Sequence, residues 1–191
     1  MKESIIFIAM ATLCLFFKGH AQSKKQEIDS PYGNIPLKVG EKVPDFMFQN
    51  LVNGDRKPFV LSSLKGKALI LDFWGTWCGS CISGFPKMEK FQNKYGKNLQ
   101  ILLVNDSKID SVENISIFLE KRKADGMELD LPVISERTFT QILFPHQLYP
   151  HVVWIGADRR LKAMTNSRAV TDDNIARLIA GLDLVLPVKE F

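Results

Sequence analysis

The feature that most constrains the fold is an apolar run that leads directly into a pair of cysteines. Residues 68–74, ALILDFW, have the length and composition of a central strand buried on both faces. Cys78 and Cys81 follow in the stretch WGTWCGSC. From Gly79 onward the apolar spacing becomes helical, so the C-x-x-C motif lies where a strand ends and a helix begins.

The helix after the cysteines and the strand that follows it predict an α/β core. The apolar residues of 79–95 share one helical face, and Pro86 should interrupt that helix. Residues 99–105, LQILLVN, predict a second buried strand. A strand, a helix and a strand in this order form a crossover unit, so the two strands should be parallel.

Shorter elements flank this core on both sides. Phe46 and Phe48 precede Asn53-Gly54, a pair that favours tight turns and predicts a small N-terminal β-hairpin. Asp110, three residues before Glu113, predicts a capped helix that continues through residue 122. Farther along, HVVWIG and LKAMT on either side of ADRR predict a second hairpin, and Thr171 predicts the start of a last helix.

The N-terminus indicates an exported protein. Residues 1–21 combine Lys2, an apolar run and the small residues of Gly19-His20-Ala21, which is the pattern of a cleavable signal peptide. The apolar run is shorter than the roughly 20 residues that span a bilayer, although an uncleaved signal would associate the protein with a membrane. We therefore predict a signal peptide over 1–21, a linker over 22–40, one domain over 41–184 and a C-terminal tail over 185–191.

Charge favours neither nucleic acid nor an acidic surface as a partner. The formal net charge of +4 is spread along 191 residues and forms no basic block. The hydrophobic fraction of 46% is enough for a folded core. We expect no nucleic-acid partner.

Export changes the meaning of the cysteines. The chain has three of them, and removal of the signal peptide would take Cys14 away, which leaves only Cys78 and Cys81. A disulfide between these two closes a very short loop and constrains the unfolded chain little. The pair is therefore better explained by redox chemistry than by stabilisation. At a helix N-terminus Cys78 should be the more acidic thiol, and Cys81 the resolving one.

Asp72 is a carboxyl group in an otherwise apolar strand. Desolvation of a carboxylate at that position is costly, and burial would raise its pKa toward neutrality. A carboxyl group with such a pKa suits a proton acceptor that works on Cys81. The alternative is a structural Asp at the strand end, which we consider less consistent with a C-x-x-C six residues later.

The stretch LSSLKGKALILDFWGTWCGSCISGFPKMEKF, residues 61–91, resembles the thioredoxin-like thiol-disulfide oxidoreductases of the TlpA/ResA type. The resemblance covers residues 39–182 and rests on LSSLKGK, the W-C-x-x-C motif and Pro86. It implies a thioredoxin-like α/β fold, in which helices flank a mixed central β-sheet and the N-terminal hairpin is an extension. It also implies that Asp72 matches a buried acid of thioredoxins and that Pro150 is a cis proline facing the cysteines.

The same resemblance implies the substrate surface. Tyr149 precedes the proline, and its backbone should pair with an extended substrate; Trp77, Gly79 and Ser80 should complete the surface around the cysteines. Three positions depart from the family. Gly84 replaces a glutamate of ResA-like members, Tyr149 replaces a small residue, and Ser80 replaces the proline of the thioredoxin dipeptide. The last change implies a somewhat less reducing couple.

Other kinds of site remain as alternatives. Cys78 and Cys81 with His146 and His151 give C-x2-C and H-x4-H, which are zinc-compatible spacings, and a thioredoxin arrangement would bring His151 near the cysteines. A peroxidase would need its resolving cysteine outside the motif. A non-catalytic thioredoxin-like module would explain the fold but gives no reason for two cysteines beside Asp72.

From these observations we expect an exported thiol-disulfide oxidoreductase of the periplasm or cell envelope, acting as a disulfide reductase with Cys78, Cys81, Asp72 and Pro150 at its centre. The expected partners are proteins that carry a disulfide or thiol and a separate redox partner that recharges the cysteines. No cofactor and no bound metal are expected. The alternative is a metal-binding or non-catalytic module that uses Cys78, Cys81 and His151.

Overall fold

The computed structural model describes residues 36–53 and 57–186. The chain divides into two units, residues 1–31 and 32–191, and all the described residues lie in the second. The predicted signal peptide lies outside the described residues, as do most of the predicted linker and residues 187–191 of the predicted tail. Within the described ranges, no helix is long and apolar enough to cross a membrane.

A five-stranded mixed sheet forms the centre of the fold, and a separate two-stranded antiparallel sheet lies near the N-terminus. The small sheet is made of β1 (Met47–Phe48) and β2 (Phe59–Val60). In spatial order the central sheet is made of β5 (Val133–Ser135), β4 (Leu99–Asn105), β3 (Ala68–Trp74), β6 (His151–Ile155) and β7 (Leu161–Thr165). The thioredoxin-like α/β prediction is confirmed.

Strand β3 lies in the middle of this sheet, and all of its residues are buried. It pairs in parallel with β4, with Ala68 opposite Leu99, and antiparallel with β6, with Phe73 opposite His151. The two apolar runs in the sequence therefore become neighbouring parallel strands over the predicted residues. The hairpin of β6 and β7 also forms as predicted.

The helices follow the predicted order with two differences at their starts. Among the described residues they are α1 (Gly79–Ile82), α2 (Phe85–Tyr95), α3 (Val112–Ala124), α4 (Thr138–Leu143) and α5 (Asp172–Ile179), with short 3-10 helices at Leu61–Ser63 and Ser167–Ala169. The helix predicted over 79–95 is divided, and Pro86 lies in the first turn of α2, where proline is tolerated. Helix α3 is capped by Ser111 and not by Asp110 as predicted.

The central sheet separates two apolar clusters. Ile70 and Trp74 belong to the first cluster, together with both cysteines and the apolar face of α2. Leu71 and Phe73 belong to the second, which also contains Phe48 of the small N-terminal sheet, with Phe59 packed against it. Since successive residues of a strand point to opposite faces, Asp72 faces the first cluster, on the same side of the sheet as the cysteines.

Residues next to both predicted edges of the domain make contacts with it. Leu37, in the predicted linker, is buried, and its N–H donates to the carbonyl of Leu143 at 3.1 Å. Val185, in the predicted tail, exchanges backbone hydrogen bonds with the side chain of Asn174. Both short segments therefore pack on the domain.

The N-terminal hairpin forms, but its connection is longer than a tight turn. Met47 pairs with Val60 and Phe48 with Phe59, so residues 49–58 connect the two strands. Asn53 donates to the carbonyls of Leu129 and Leu131 and accepts from the N–H of Val133. The predicted turn residue therefore ties the connection to the segment that enters β5.

Candidate functional site

Cys78 and Cys81 form a disulfide at the end of the central strand. Cys78 is the N-cap of α1, and its sulfur accepts a hydrogen bond from the N–H of Cys81 at 3.3 Å. The hydroxyl of Ser80 lies 3.5 Å from the same sulfur. Both cysteines are almost fully buried, at 5% and 3% exposure, whereas Gly79 and Ser80 between them are exposed. The disulfide is therefore accessible from the side on which Gly79 and Ser80 are exposed.

Asp72 is buried in the same part of the core. It is 3% exposed, and its Oδ1 has no hydrogen-bond partner among the described residues. Desolvation of the carboxyl group raises its pKa to about 7. A group with this pKa exchanges a proton near neutral pH. Burial therefore raises the pKa of Asp72 toward neutrality, as expected from its position in an apolar strand.

The peptide bond between Tyr149 and Pro150 is cis. Phe73 pairs with His151, so Pro150 lies beside the end of β3, where the cysteine loop begins. The ring of Tyr149 contacts the indole of Trp77 edge-to-face, with centroids 5.4 Å apart. Trp77 and Tyr149 therefore meet next to the disulfide, and Trp77 is 54% exposed.

A polar network behind Tyr149 was not anticipated from the sequence. The side chain of Asp106, fully buried, accepts hydrogen bonds from the phenol of Tyr149 and from Nε2 of Gln141, the latter at 2.6 Å. Nε2 of His146 lies 3.5 Å from the same carboxylate. One signal was available, because Asp106 directly follows a buried strand, at the sheet edge where sites commonly form.

The network shifts the pKa values of its members. Burial alone would raise the pKa of Asp106, but the nearby imidazole of His146 and the hydrogen bonds from Tyr149 and Gln141 outweigh it and hold this pKa below its usual range. For His146, burial would lower the pKa, yet the nearby Asp106 carboxylate and the hydrogen bond to the Phe144 carbonyl raise it. Burial and Asp106 both raise the pKa of Tyr149. The phenol therefore stays protonated and keeps its role as donor.

The ring of His151 packs on the face of the sheet opposite to the cluster that contains the cysteines. Its ring stacks on His146 with centroids 4.3 Å apart and packs near Phe73, which belongs to the opposite face of the sheet. Burial, and secondarily the charge of His146, lowers the pKa of His151 to about 4. Within residues 36–53 and 57–186, no group of three or more His, Cys, Asp or Glu side chains could hold a metal ion.

Asp110 holds the loop that carries the cysteines. Its carboxylate accepts hydrogen bonds from the N–H of Thr76 at 2.9 Å, the hydroxyl of Thr76 at 2.6 Å and Nδ2 of Asn105 at 2.7 Å. Because these oxygens are already engaged, Asp110 is not available as the cap of α3. It joins the end of β4 to the loop that begins after β3.

Trp77 lies over Gly75 and against the loop after β4. Its Nε1 donates to the hydroxyl of Ser107 at 3.3 Å. A Cβ on Gly75 would come within 2.8 Å of that nitrogen, so the absence of a side chain at Gly75 leaves room for the indole ring of Trp77. At Gly84 a Cβ would be 3.1 Å from the carbonyl of Cys81, a tight contact that a small shift would relieve.

The geometry agrees with a comparison against protein families. The family model described as Redoxin matches residues 38–177, most of the chain. The chain belongs to the Redoxin family. The matched range includes every residue of the site just described.

Curated relatives of this Redoxin-family chain are named for thiol chemistry. It is 31% identical over 104 residues to the thioredoxin-like protein YneN of Bacillus subtilis (strain 168), covering 54% of this chain and 56% of that protein. It is 32% identical over 113 residues to the thiol-disulfide oxidoreductase ResA of Geobacillus kaustophilus (strain HTA426), 59% of each chain. The matches thus span about half the length of these relatives.

Solved structures share the fold of this Redoxin-family chain. A thiol:disulfide interchange protein of the thioredoxin family from Chlorobium tepidum TLS has a TM-score of 0.58 at 23% identity, over 75% of this chain and 99% of that one. The exposed lipoprotein thioredoxin Etrx1 from Streptococcus pneumoniae strain TIGR4 has a TM-score of 0.56 at 24% identity, over 72% and 99%. At these identities the likeness concerns the fold.

Proposed function

We propose that this protein is an exported thiol-disulfide oxidoreductase that reduces disulfides in other proteins. The observation that carries the proposal is the Cys78–Cys81 disulfide at the end of β3, on the sheet face that also buries Asp72. A structural disulfide gives no reason for an ionisable group in the adjacent core, whereas exchange chemistry needs one. The names of the relatives agree with this function.

The first step uses the dithiol form of the pair. The Cys78 thiolate attacks one sulfur of a substrate disulfide, a mixed disulfide forms, and the second substrate sulfur leaves as a thiolate that takes up a proton. Helix α1 has only four residues, so its dipole contributes little. The N–H of Cys81 is directed at the Cys78 sulfur, where it would donate a hydrogen bond to the thiolate of the reduced pair.

The second step resolves the mixed disulfide. The Cys81 thiol gives its proton to Asp72 and attacks the Cys78 sulfur, which releases the remaining substrate thiolate and forms the Cys78–Cys81 disulfide. Two electrons pass from the cysteine pair to the substrate. Since the pKa of Asp72 is about 7, the carboxylate form that accepts the proton is populated at neutral pH.

The substrate would lie across the exposed side of the disulfide. Gly79 and Ser80 are exposed there, and Trp77 and Tyr149 meet beside them. In this proposal the backbone of Tyr149, next to Pro150, pairs with an extended segment of the substrate, as in β-strand addition. Pro150 lacks an N–H and so leaves the neighbouring sulfur free of a competing donor.

A separate dithiol protein must reduce Cys78–Cys81 after each turnover, because the protein itself supplies no electrons. The expected place of action is the periplasm or cell envelope. The signal pattern of residues 1–21 and the use of a redox pair in a compartment where disulfides persist support this. An uncleaved signal would keep the protein at a membrane.

Insulin reduction tests the function. The wild type, given a dithiol reductant, should accelerate the reduction of insulin disulfides, and Cys78→Ser should abolish this. Cys81→Ser should accumulate the mixed disulfide, visible by mass spectrometry. The proposal fails if Cys78→Ser is as active as the wild type. The reduction potential of the pair, measured against glutathione, then decides the direction, since a strongly negative value favours a reductase.

A further inference from the structure

A cavity of about 710 Å³ is lined by Trp77, which precedes Cys78 in the chain, and by Tyr149, which precedes the cis proline. Its walls come from three parts of the chain: the cysteine loop, the loop between β4 and α3, and α4 with its N-cap and the segment that joins it to β6. Trp77, Ile109 and Tyr149 supply large apolar surfaces to it. The cavity therefore borders the surface that a substrate would cross.

Apolar side chains are unusually exposed around this cavity. Ile109 is 70% exposed and Trp77 is 54% exposed, and both line it. Leu148, next to Tyr149 in the chain, is 80% exposed. Clustered exposure of this kind costs free energy in water and marks surfaces that bind an apolar partner.

Asp106 and Ser107, which line the cavity, already have hydrogen-bond partners, whereas Nε2 of His146, which also lines it, has none among the described residues. The Asp106 carboxylate accepts from Tyr149 and Gln141, and the hydroxyl of Ser107 accepts from both the indole of Trp77 and the N–H of Ile109. Ser107 thus holds two of the apolar walls together. An apolar group entering the cavity would not strip these polar atoms of their partners, so it pays no such penalty.

Two cations also line the cavity and must be considered. Lys108 and Arg137 are exposed, and long basic side chains keep their charged heads in water while their methylene stems cover apolar surface. The buried carboxylate of Asp106 also lines the cavity, and its negative charge disfavours an anionic occupant. The observations therefore favour an apolar occupant over an acidic one.

We propose that this cavity is a subsite for one large apolar side chain, aromatic or aliphatic, located beside the cysteine of the substrate polypeptide. Ile109 is its specificity-determining residue. This inference rests on the proposed function, because it assigns a substrate class to the same surface. It adds a preference that disulfide exchange alone does not require.

The test uses two sets of matched peptides. One set carries an intermolecular disulfide with Phe, Gln or Asp beside the cysteine, and kcat/KM is measured for its reduction. The other set carries serine in place of cysteine, and binding to the oxidised protein is measured by tryptophan fluorescence. Burial of one large apolar side chain should favour Phe over Asp by about tenfold in both sets.

Two isoleucines allow a matched comparison. Ile109→Asp should reduce the preference for Phe over Asp to about onefold. Ile117→Asp should retain it, since Ile117 is also exposed, at 57%, but lies on α3 and does not line the cavity. Ile109→Ser provides a second variant of the same position, and circular dichroism checks the folding of all three.

The outcomes separate the subsite from the function. Preference for Phe in the serine peptides with no reduction of any disulfide peptide would support the subsite and refute the proposed function. Reduction of all disulfide peptides at equal rates, or a preference for Asp, would overturn the subsite alone. A preference for Phe that survives in Ile109→Asp would overturn the role of Ile109.

Discussion

The phenol of Tyr149 donates a hydrogen bond to the carboxylate of Asp106, and this contact joins the segment before the cis proline to the end of β4. The two residues are far apart in sequence. Their contact holds the ring of Tyr149 where it meets Trp77, beside the disulfide. Asp106 thus helps to position the aromatic side chains beside the disulfide.

Removal of this hydroxyl should destabilise the protein. Tyr149→Phe leaves the buried Asp106 carboxylate with one donor fewer, and loss of a hydrogen bond to a buried charged group costs roughly 1–3 kcal/mol. Urea denaturation of the oxidised protein should show a lower free energy of unfolding by that amount. The slope of the transition should stay unchanged.

A double-mutant cycle isolates the contact. In an Asp106→Asn background, Tyr149→Phe should cost clearly less than in the wild type, because the charged acceptor has been removed. Equal costs in the two backgrounds would mean that the hydroxyl stabilises the fold through some other contact.

The pKa values of the two described histidines should be shifted in opposite directions. Asp106 raises the pKa of His146, whereas burial and the charge of His146 lower that of His151 to about 4. NMR of the imidazole nitrogens should find His146 protonated at a pH where its stacked neighbour is neutral. In Asp106→Asn the pKa of His146 should fall. An unchanged value would assign the shift to another cause.

The sign of the linkage for His146 follows from its raised pKa. Its charged form is favoured in the folded state, so its contribution to stability is fully present below the unfolded pKa. The contribution is lost as pH rises through the folded pKa. His146→Gln should therefore cost more stability at acidic pH than at pH 8.

The strands of the core could be predicted because each carries its own signal. β3 and β4 are continuous apolar runs, and a strand buried on both faces has that composition whatever surrounds it. Pro86 likewise acts locally, since it has no N–H with which to continue the helix that begins at Gly79. Asp72 was identified because its charge contradicts the composition of its strand.

The network around Asp106 could not be predicted in the same way. Its partners are Gln141, His146 and Tyr149, which lie on an irregular segment and one short helix, with no periodicity that would place them together. Asp110 illustrates the same difficulty. Its spacing favoured a helix cap, but tertiary contacts to Thr76 and Asn105 took its oxygens, and Ser111 caps the helix instead.

Loss of Asp110 should loosen the cysteine loop. Asp110→Ala removes the acceptor of the N–H and the hydroxyl of Thr76, so hydrogen exchange of the Thr76 amide should accelerate. The free energy of unfolding should fall by about 1–3 kcal/mol. Asp125→Ala is the matched control, because Asp125 is exposed at the end of α3. An unchanged exchange rate at Thr76 would contradict this assignment.

The buried carboxyl of Asp72 should make stability depend on pH. Its pKa is about 7 in the folded protein, and about 3.9 is usual for an unfolded chain. Between these values the folded state retains a proton that the unfolded state has lost, so stability falls as pH rises from about 4 to about 7. The full effect is at most about 4 kcal/mol, and it is constant above that range.

Asp72→Asn should remove this dependence. The difference in unfolding free energy between variant and wild type, measured by urea denaturation of the oxidised proteins, should increase from pH 4 to pH 7 in favour of the variant. The same variant should resolve a mixed disulfide more slowly, while the first attack by Cys78 keeps its rate, because only the second step transfers a proton to Asp72. Stopped-flow measurement of both steps separates them. A variant that gains stability but resolves at the wild-type rate would leave Asp72 as a buried acid without a part in the exchange.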